Sequence, residues 1–211
     1  MGNERSMTEE EKQRRRDSLL EAAKKLFLRF GYSKTTMDMI AEKSYISKGT
    51  IYLYFQNKEE LFHELVEREA LGMQRFLARS LKDEKSVAKQ LQIIFYKTLE
   101  YLEQNPFLKS ILQRDMEVIS PRNIEYVLTI ENKYISSVEE YVQTGIEKGE
   151  IEPFDTRIIA YTLYKVFEAF SYIATMENGE LDKEATMAFI GHLVDGMIKG
   201  LCGPPRSRKK P

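Results

Sequence analysis

The sequence predicts an all-α protein, with a small three-helix domain at the N-terminus and a larger helical domain after it. Two observations carry this expectation. No stretch alternates apolar and polar residues with period two for long, whereas apolar residues at helical spacing recur along almost the whole chain. The interruptions are of the kind that end helices, at Gly31, Asn105–Pro106, Ser120–Pro121, Gly149–Pro153 and Asn178–Gly179.

The first helix starts at a capping box, Thr8 with Glu11, and Glu9 to Glu11 suit the positive end of its dipole. Leu19, Ala23, Phe27 and Phe30 form its apolar stripe, and Gly31 ends it. A short second helix follows, capped by Thr35 or Thr36, with Met37, Ile40 and Ala41 facing inward. Ser44, Tyr45 and Ile46 separate it from a third, which starts at Ser47 and turns Ile51 and Phe55 to the core. Asn57 and Glu60 form another cap pair and launch a long helix through Leu61, Leu65, Val66, Met73 and Phe76, a natural connector between domains. Further helices are expected near 84–104, 106–117, 122–148, 154–177 and 182–201. The domain expectation is therefore 1–62, 63–202 and a basic, disordered tail at 203–211.

Composition excludes several classes. With 42% hydrophobic and 31% charged residues the chain reads as globular, and its single cysteine, Cys202, fits a reducing cytoplasm. No apolar run is long enough to span a membrane, and the charged N-terminus does not read as an export signal. MGNERS matches a myristoylation pattern, but the pattern is short and is taken as chance. With only two histidines, His63 and His192, neither a histidine-based triad nor a multi-histidine metal site is expected. Glu60 and His63 have the E-x-x-H spacing of di-iron bundles, but Phe189 stands three residues before His192, so the required second pair is missing. No enzyme, metal or cofactor is expected.

Two short helices joined by a tight turn and crossed by a preceding helix have the layout of helix-turn-helix DNA readers. The polar side of the third helix sharpens this expectation. Ser47, Lys48, Gly49 and Thr50 bring together a cap, a cation, a residue with no side chain and a hydroxyl, at a helix end where backbone N–H groups favour phosphate. Tyr52 and Tyr54 lie off the Ile51/Phe55 side. Lys58 opens the next helix, where a cation opposes the dipole unless an anion such as phosphate is near.

The stretch from Leu19 to Leu61 resembles the DNA-binding domain of the tetracycline-repressor (TetR) family. The resemblance rests on Ala22, Ala23, Phe27, Gly31, Tyr32, Thr35, Thr36, Ile40, Ala41, Ser47 to Gly49, Tyr52, Tyr54, Phe55, Lys58 and Leu61. Where that family usually has Ala-Gly-Val in the turn, this chain has Ser44-Tyr45-Ile46. The resemblance implies that Lys48, Thr50 and Leu53 reach base edges of double-stranded operator DNA. It also implies that Thr36, Ser47, Tyr52, Tyr54 and Lys58 hold phosphates, with Gly49 allowing close approach. Repression is the family default.

Residues 158–174 are apolar nearly all round, so their helix must be covered on both sides, and the last helix carries glycines at 191, 196 and 200. These two helices are the expected homodimer interface, through Phe170, Ile173, Phe189, Leu193, Val194 and Met197. Filling a monomer core is the alternative. Thirteen of the 23 aromatic residues, eight of them tyrosines, lie within 84–175, which suits a small apolar or aromatic ligand. The family implies a ligand pocket in this domain, and Phe95, Tyr101, Tyr126, Tyr164 and Phe167 are its candidates. The competing functional reading is an all-helical adaptor whose helix-turn-helix reads no DNA, with an enzyme on the C-terminal helices more distant.

Overall fold

The computed structural model describes residues 8–173 and 182–202, and every regular element among them is helical. The MGNERS match, the Asn178–Gly179 break and the 203–211 tail lie outside the described residues. The chain divides into two compact units. One holds the described residues through Leu71 together with Pro106–Tyr126; the other holds Gly72–Asn105 and the described residues from Val127 onward. The expected boundary after residue 62 lies in the same helix, Lys58–Leu81, as this division after Leu71, and the first unit also takes in Pro106–Tyr126, which sequence order gave to the second.

In the first unit α1 (Glu9–Lys34) begins at the expected capping box, with Glu11 N–H donating to Thr8 Oγ1 at 3.2 Å and Thr8 N–H to Glu11 Oε2 at 2.9 Å. Gly31 breaks the helical path at φ 78°, ψ 165°, and one further turn carries the chain to Lys34. Thr35 closes this end from inside, its buried hydroxyl donating to the Gly31 carbonyl at 2.8 Å. Thr36 caps α2 (Met37–Lys43), Ser47 caps α3 (Lys48–Ile51) and Asn57 caps α4 (Lys58–Leu81), where Glu60 N–H reaches Asn57 Oδ1 at 2.8 Å. Each cap satisfies an N–H that the first helical turn leaves without a partner.

The first unit buries Leu19, Phe27, Ile40, Ile51, Phe55 and Phe62 completely. Phe62 sets its edge against Phe27 at 5.5 Å and Tyr32 at 5.2 Å, and Phe107, from the recruited segment, adds a third edge contact at 6.0 Å. Burying each such ring is worth about 2–3 kcal/mol. Ion pairs also tie α1 to α4: Arg16 to Glu64, Lys24 to Glu69 at 2.8 Å, and Arg68 to Glu21.

The helix expected over 106–117 is two helices, α6 (Pro106–Leu112) and α7 (Met116–Ile119). Arg114 takes a left-handed φ of 51° between them, and Asp115 starts α7 by accepting the Glu117 N–H at 3.0 Å. A 3₁₀ turn at Pro121–Asn123 leads into α8 (Ile124–Glu147). In the second unit α5 (Val87–Gln104), α8, α9 (Thr156–Ile173) and α10 (Lys183–Leu201) enclose a core of Val87, Leu91, Phe95, Val142, Ile159, Ile190, Val194 and Ile198.

Candidate nucleic-acid interface

The turn between α2 and α3 is built without glycine. Tyr45 takes the left-handed conformation at φ 56°. Its N–H bonds the Glu42 carbonyl at 3.0 Å, and the Ile46 N–H bonds the Ala41 carbonyl at 3.0 Å. These are the paired bonds of a Schellman turn, in which a left-handed residue closes the helix end. Tyr45 therefore supplies the conformation that glycine usually provides here, and its ring is 95% exposed.

Ser47 accepts the Thr50 N–H at 3.2 Å and shares a hydroxyl hydrogen bond of 2.7 Å with Thr50. After one α-turn the chain tightens, with Leu53 N–H bonding Thr50 O at 3.1 Å and Tyr54 N–H bonding Ile51 O at 3.0 Å. Ile51 and Phe55 are fully buried, which pins the segment and turns its other side outward. Lys48, Gly49, Tyr52 and Leu53 are exposed there, while Thr50 and Tyr54 are half-buried. Leu53 is 83% exposed, an arrangement that gains nothing for folding. A Cβ at Gly49 would meet nothing nearer than Ser47 Oγ at 4.0 Å, so the fold itself does not require glycine.

The cations differ. Lys48 is exposed and pairs with Asp38 on α2, whose hydrogen bond raises the ammonium's pKa. Lys58, expected on a phosphate, is already engaged: its Nζ donates to the carbonyls of Tyr32 at 2.6 Å and Thr35 at 2.7 Å and sits 4.2 Å from the Tyr32 ring centre. Burial, with a smaller contribution from Arg122, lowers its pKa. Lys58 thus closes the C-terminal end of α1, satisfying carbonyls that the helix leaves open. Thr36 is exposed, with its hydroxyl accepting the Met39 N–H at 3.2 Å.

Two residues escaped the sequence reading. Arg16 donates to the Tyr54 carbonyl at 2.7 Å and lies 4.4 Å from the Phe55 ring centre, so it braces the end of the recognition segment. Its signal was its register, three and four residues ahead of Leu19 and Leu20 on the buried face of α1. Asp38 had no signal, since it stands ten positions before Lys48 with a turn between them.

A family model, Bacterial regulatory proteins, tetR family, matches residues 19–65. The chain is 31% identical over 160 residues to the helix-turn-helix transcriptional regulator YfiR of Bacillus subtilis (strain 168), covering 70% of this chain and 73% of that one. The chain belongs to the tetR family of bacterial regulatory proteins. This regulator is also 29% identical over 187 residues to YhgD of the same strain, covering 89% of this chain and 96% of that one. Its fold matches that of the transcriptional regulator FadR of Bacillus subtilis in complex with stearoyl-CoA, with a TM-score of 0.71 at 21% identity, over 84% of this chain and 96% of that one. It is a helix-turn-helix transcriptional regulator, and regulators of this family bind operator DNA as dimers.

The regulator's second unit brings together some of the ligand candidates. Phe95 meets Phe167 edge-on at 5.4 Å, whereas Tyr101 lies apart, against Phe76 at 5.3 Å. Tyr164 is half-buried beside Lys165, whose Nζ is 5.2 Å from its ring centre. Tyr126 belongs to the first unit, stacked on His63 at 3.7 Å with its hydroxyl donating to the His63 carbonyl. It is therefore not in the domain to which it was assigned, because α8 begins in one unit and continues in the other.

The dimer candidates also separate. Phe189 is 62% exposed and Leu193 is exposed beside it, whereas Val194 is fully buried in its own core. Phe170 packs edge-on against Phe95 at 6.0 Å, and Met197 is half-buried. The Ile173 side chain lies outside the described residues. Val194 thus lies in the monomer core, while Phe170 packs against that core and stays partly exposed. Ile158, Tyr161 and Tyr172 on α9 are exposed, and at Gly196 and Gly200 an added Cβ would meet nothing within 4 Å. Among the described residues no group of acidic, histidine or cysteine side chains is arranged for a metal, and no helix is long and apolar enough to cross a membrane.

Proposed function

We propose that this regulator is a homodimeric repressor whose helix-turn-helix reads operator DNA and is released when a largely apolar small molecule occupies the second unit. The observation that carries the reading is the outer side of the recognition segment, where an exposed leucine, an exposed tyrosine and a glycine with room for a side chain stand on a backbone pinned by buried Ile51 and Phe55. Lys48, Thr50 and Leu53 are the residues assigned to base edges. Thr36, Ser47, Tyr52 and Tyr54 are assigned to phosphates, and Gly49 permits close approach of the backbone. Lys58 acts indirectly, by holding the end of α1.

The exposed apolar stripes of α9 and α10, including Ile158, Tyr161, Phe189 and Leu193, support pairing with a second copy. Two recognition helices must then stand about 34–36 Å apart to enter successive major grooves. A ligand changes operator affinity only by preferring one spacing over the other. The aromatic side chains of the second unit suit an apolar ligand, and the solved structure of FadR in complex with stearoyl-CoA makes a fatty-acyl-CoA the first compound to try.

The test is to select an operator from a random duplex pool and follow binding by fluorescence anisotropy while adding stearoyl-CoA, free stearate or CoA alone. The expected result is tight, salt-dependent binding to a two-fold-symmetric site that the acyl-CoA weakens and CoA alone does not. A folded protein that selects no duplex sequence returns the adaptor reading to first place. Operator binding unmoved by acyl-CoA bound to the protein refutes the coupling.

A further inference from the structure

The recognition segment presents its cation in an engaged state. Lys48 is the first residue of α3, largely exposed, and its ammonium is held by the Asp38 carboxylate from the first turn of α2. Glu42, also on α2, adds a smaller electrostatic contribution in the same direction. Neither partner is part of the core, since the Lys48 side chain is largely exposed and that of Asp38 half exposed. Capping does not explain the pair either, because Thr36 caps α2 and Ser47 caps α3.

We propose that Asp38 is a specificity-determining residue of the DNA-reading surface, acting as a competitor that holds Lys48 away from phosphates the protein meets at random. The inference rests on the DNA-binding reading above and extends it to a residue outside the recognition segment. A random duplex offers Lys48 one more anion, so the ammonium gains only the difference between a phosphate and the carboxylate it already has. That duplex also places its phosphates near a carboxylate left without a partner. A cognate site compensates both losses: it accepts Lys48 on a guanine edge or a fixed phosphate and offers a cytosine amino group, for which a carboxylate is a suitable acceptor. The pair therefore lowers nonspecific affinity more than specific affinity, and the ratio of the two governs occupancy among many competing sites.

The test compares Asp38→Asn, Asp38→Glu, Lys48→Ala and the double variant Asp38→Asn/Lys48→Ala with the wild type. Each is measured on a selected operator and on a random duplex across a salt series, with thermal melting as a check of folding. Asp38→Asn is expected to tighten random-duplex binding by roughly two- to fivefold per subunit, the range of exposed ion pairs. It is also expected to steepen the dependence of log affinity on log salt by up to about 0.9 per subunit, as Lys48 becomes free to neutralise a phosphate. Operator binding gains less, so the specificity ratio falls, and Asp38→Glu retains the wild-type ratio. In the Lys48→Ala background the gain from Asp38→Asn is expected to shrink, which marks the effect as passing through Lys48. An equal gain in both backgrounds overturns the proposal in favour of simple repulsion between Asp38 and DNA, and an unchanged random-duplex affinity overturns it outright. A wild-type protein that binds no duplex in a salt-dependent way refutes the DNA-binding reading itself, a result distinct from either of these.

Discussion

Gly31 and Glu117 lie so close that a side chain on the glycine would enter the other residue's backbone: an added Cβ would stand 2.6 Å from the Glu117 carbonyl oxygen. The glycine also holds φ 78° with ψ 165°, a region almost closed to other residues. Gly31→Ala is therefore expected to cost about 3 kcal/mol, from backbone strain together with displacement of α7. Urea unfolding reads this as a lower midpoint at unchanged slope. A loss under 1 kcal/mol would show that α7 yields easily.

Lys58→Met keeps the aliphatic stem but removes the ammonium from the Tyr32 and Thr35 carbonyls. Leaving those acceptors without a donor is expected to cost about 1–3 kcal/mol. The salt slope of DNA binding is expected to stay at its wild-type value, because the ammonium is bonded inside the protein. Lys48→Ala is the counterpart, with stability retained and operator affinity lowered by about 1–3 kcal/mol per half-site, the worth of a base-edge contact. A reduced slope for Lys58→Met would restore that lysine to the phosphate set.

Much of this was legible where the signal was local. The caps at Thr8, Thr36, Ser47 and Asn57 are contacts within one helical turn, so residue type and spacing announce them. The carbonyl partners of Lys58 gave no signal because they lie 23 and 26 residues back, beyond any helical period. The break at Arg114 has neither glycine nor proline to mark it. In α9 and α10 apolar residues surround the axis, so periodicity gives no inward direction, and Val194 and Phe189 looked equivalent although one is buried and the other exposed.

Gly49→Ala separates folding from recognition. The position has room for a methyl group, and alanine favours a helix over glycine, so stability is expected to hold or to rise by about 0.5–1 kcal/mol. Operator affinity is expected to fall, because the methyl group occupies the space through which the backbone approaches phosphate. Thermal melting and anisotropy on one sample check both halves. Unchanged DNA affinity would remove Gly49 from the interface.

Phe189→Asp and Val194→Asp, only five residues apart, are expected to fail differently. At Phe189 the new charge meets solvent in the monomer and an apolar partner in the dimer, so sedimentation is expected to show folded monomers. At Val194 it enters the core, at a cost of several kcal/mol, and circular dichroism is expected to show lost helix at any protein concentration. A folded dimeric Phe189→Asp protein would move the interface off this face.

The first unit is discontinuous along the chain, and this orders its assembly during synthesis. Helices α1 to α4 emerge from the ribosome well before Phe107, which packs on Phe62, and before α7, which packs on α1. Until residue 126 has been made, the DNA-reading half lacks part of its own interior, so a nascent chain ending near α4 still exposes apolar surface that the finished unit covers. The same ordering applies to engineered hybrids. A graft that exchanges only the N-terminal helices inherits a mismatched α6–α7 seat, and a transplantable reading head comprises both segments of the unit.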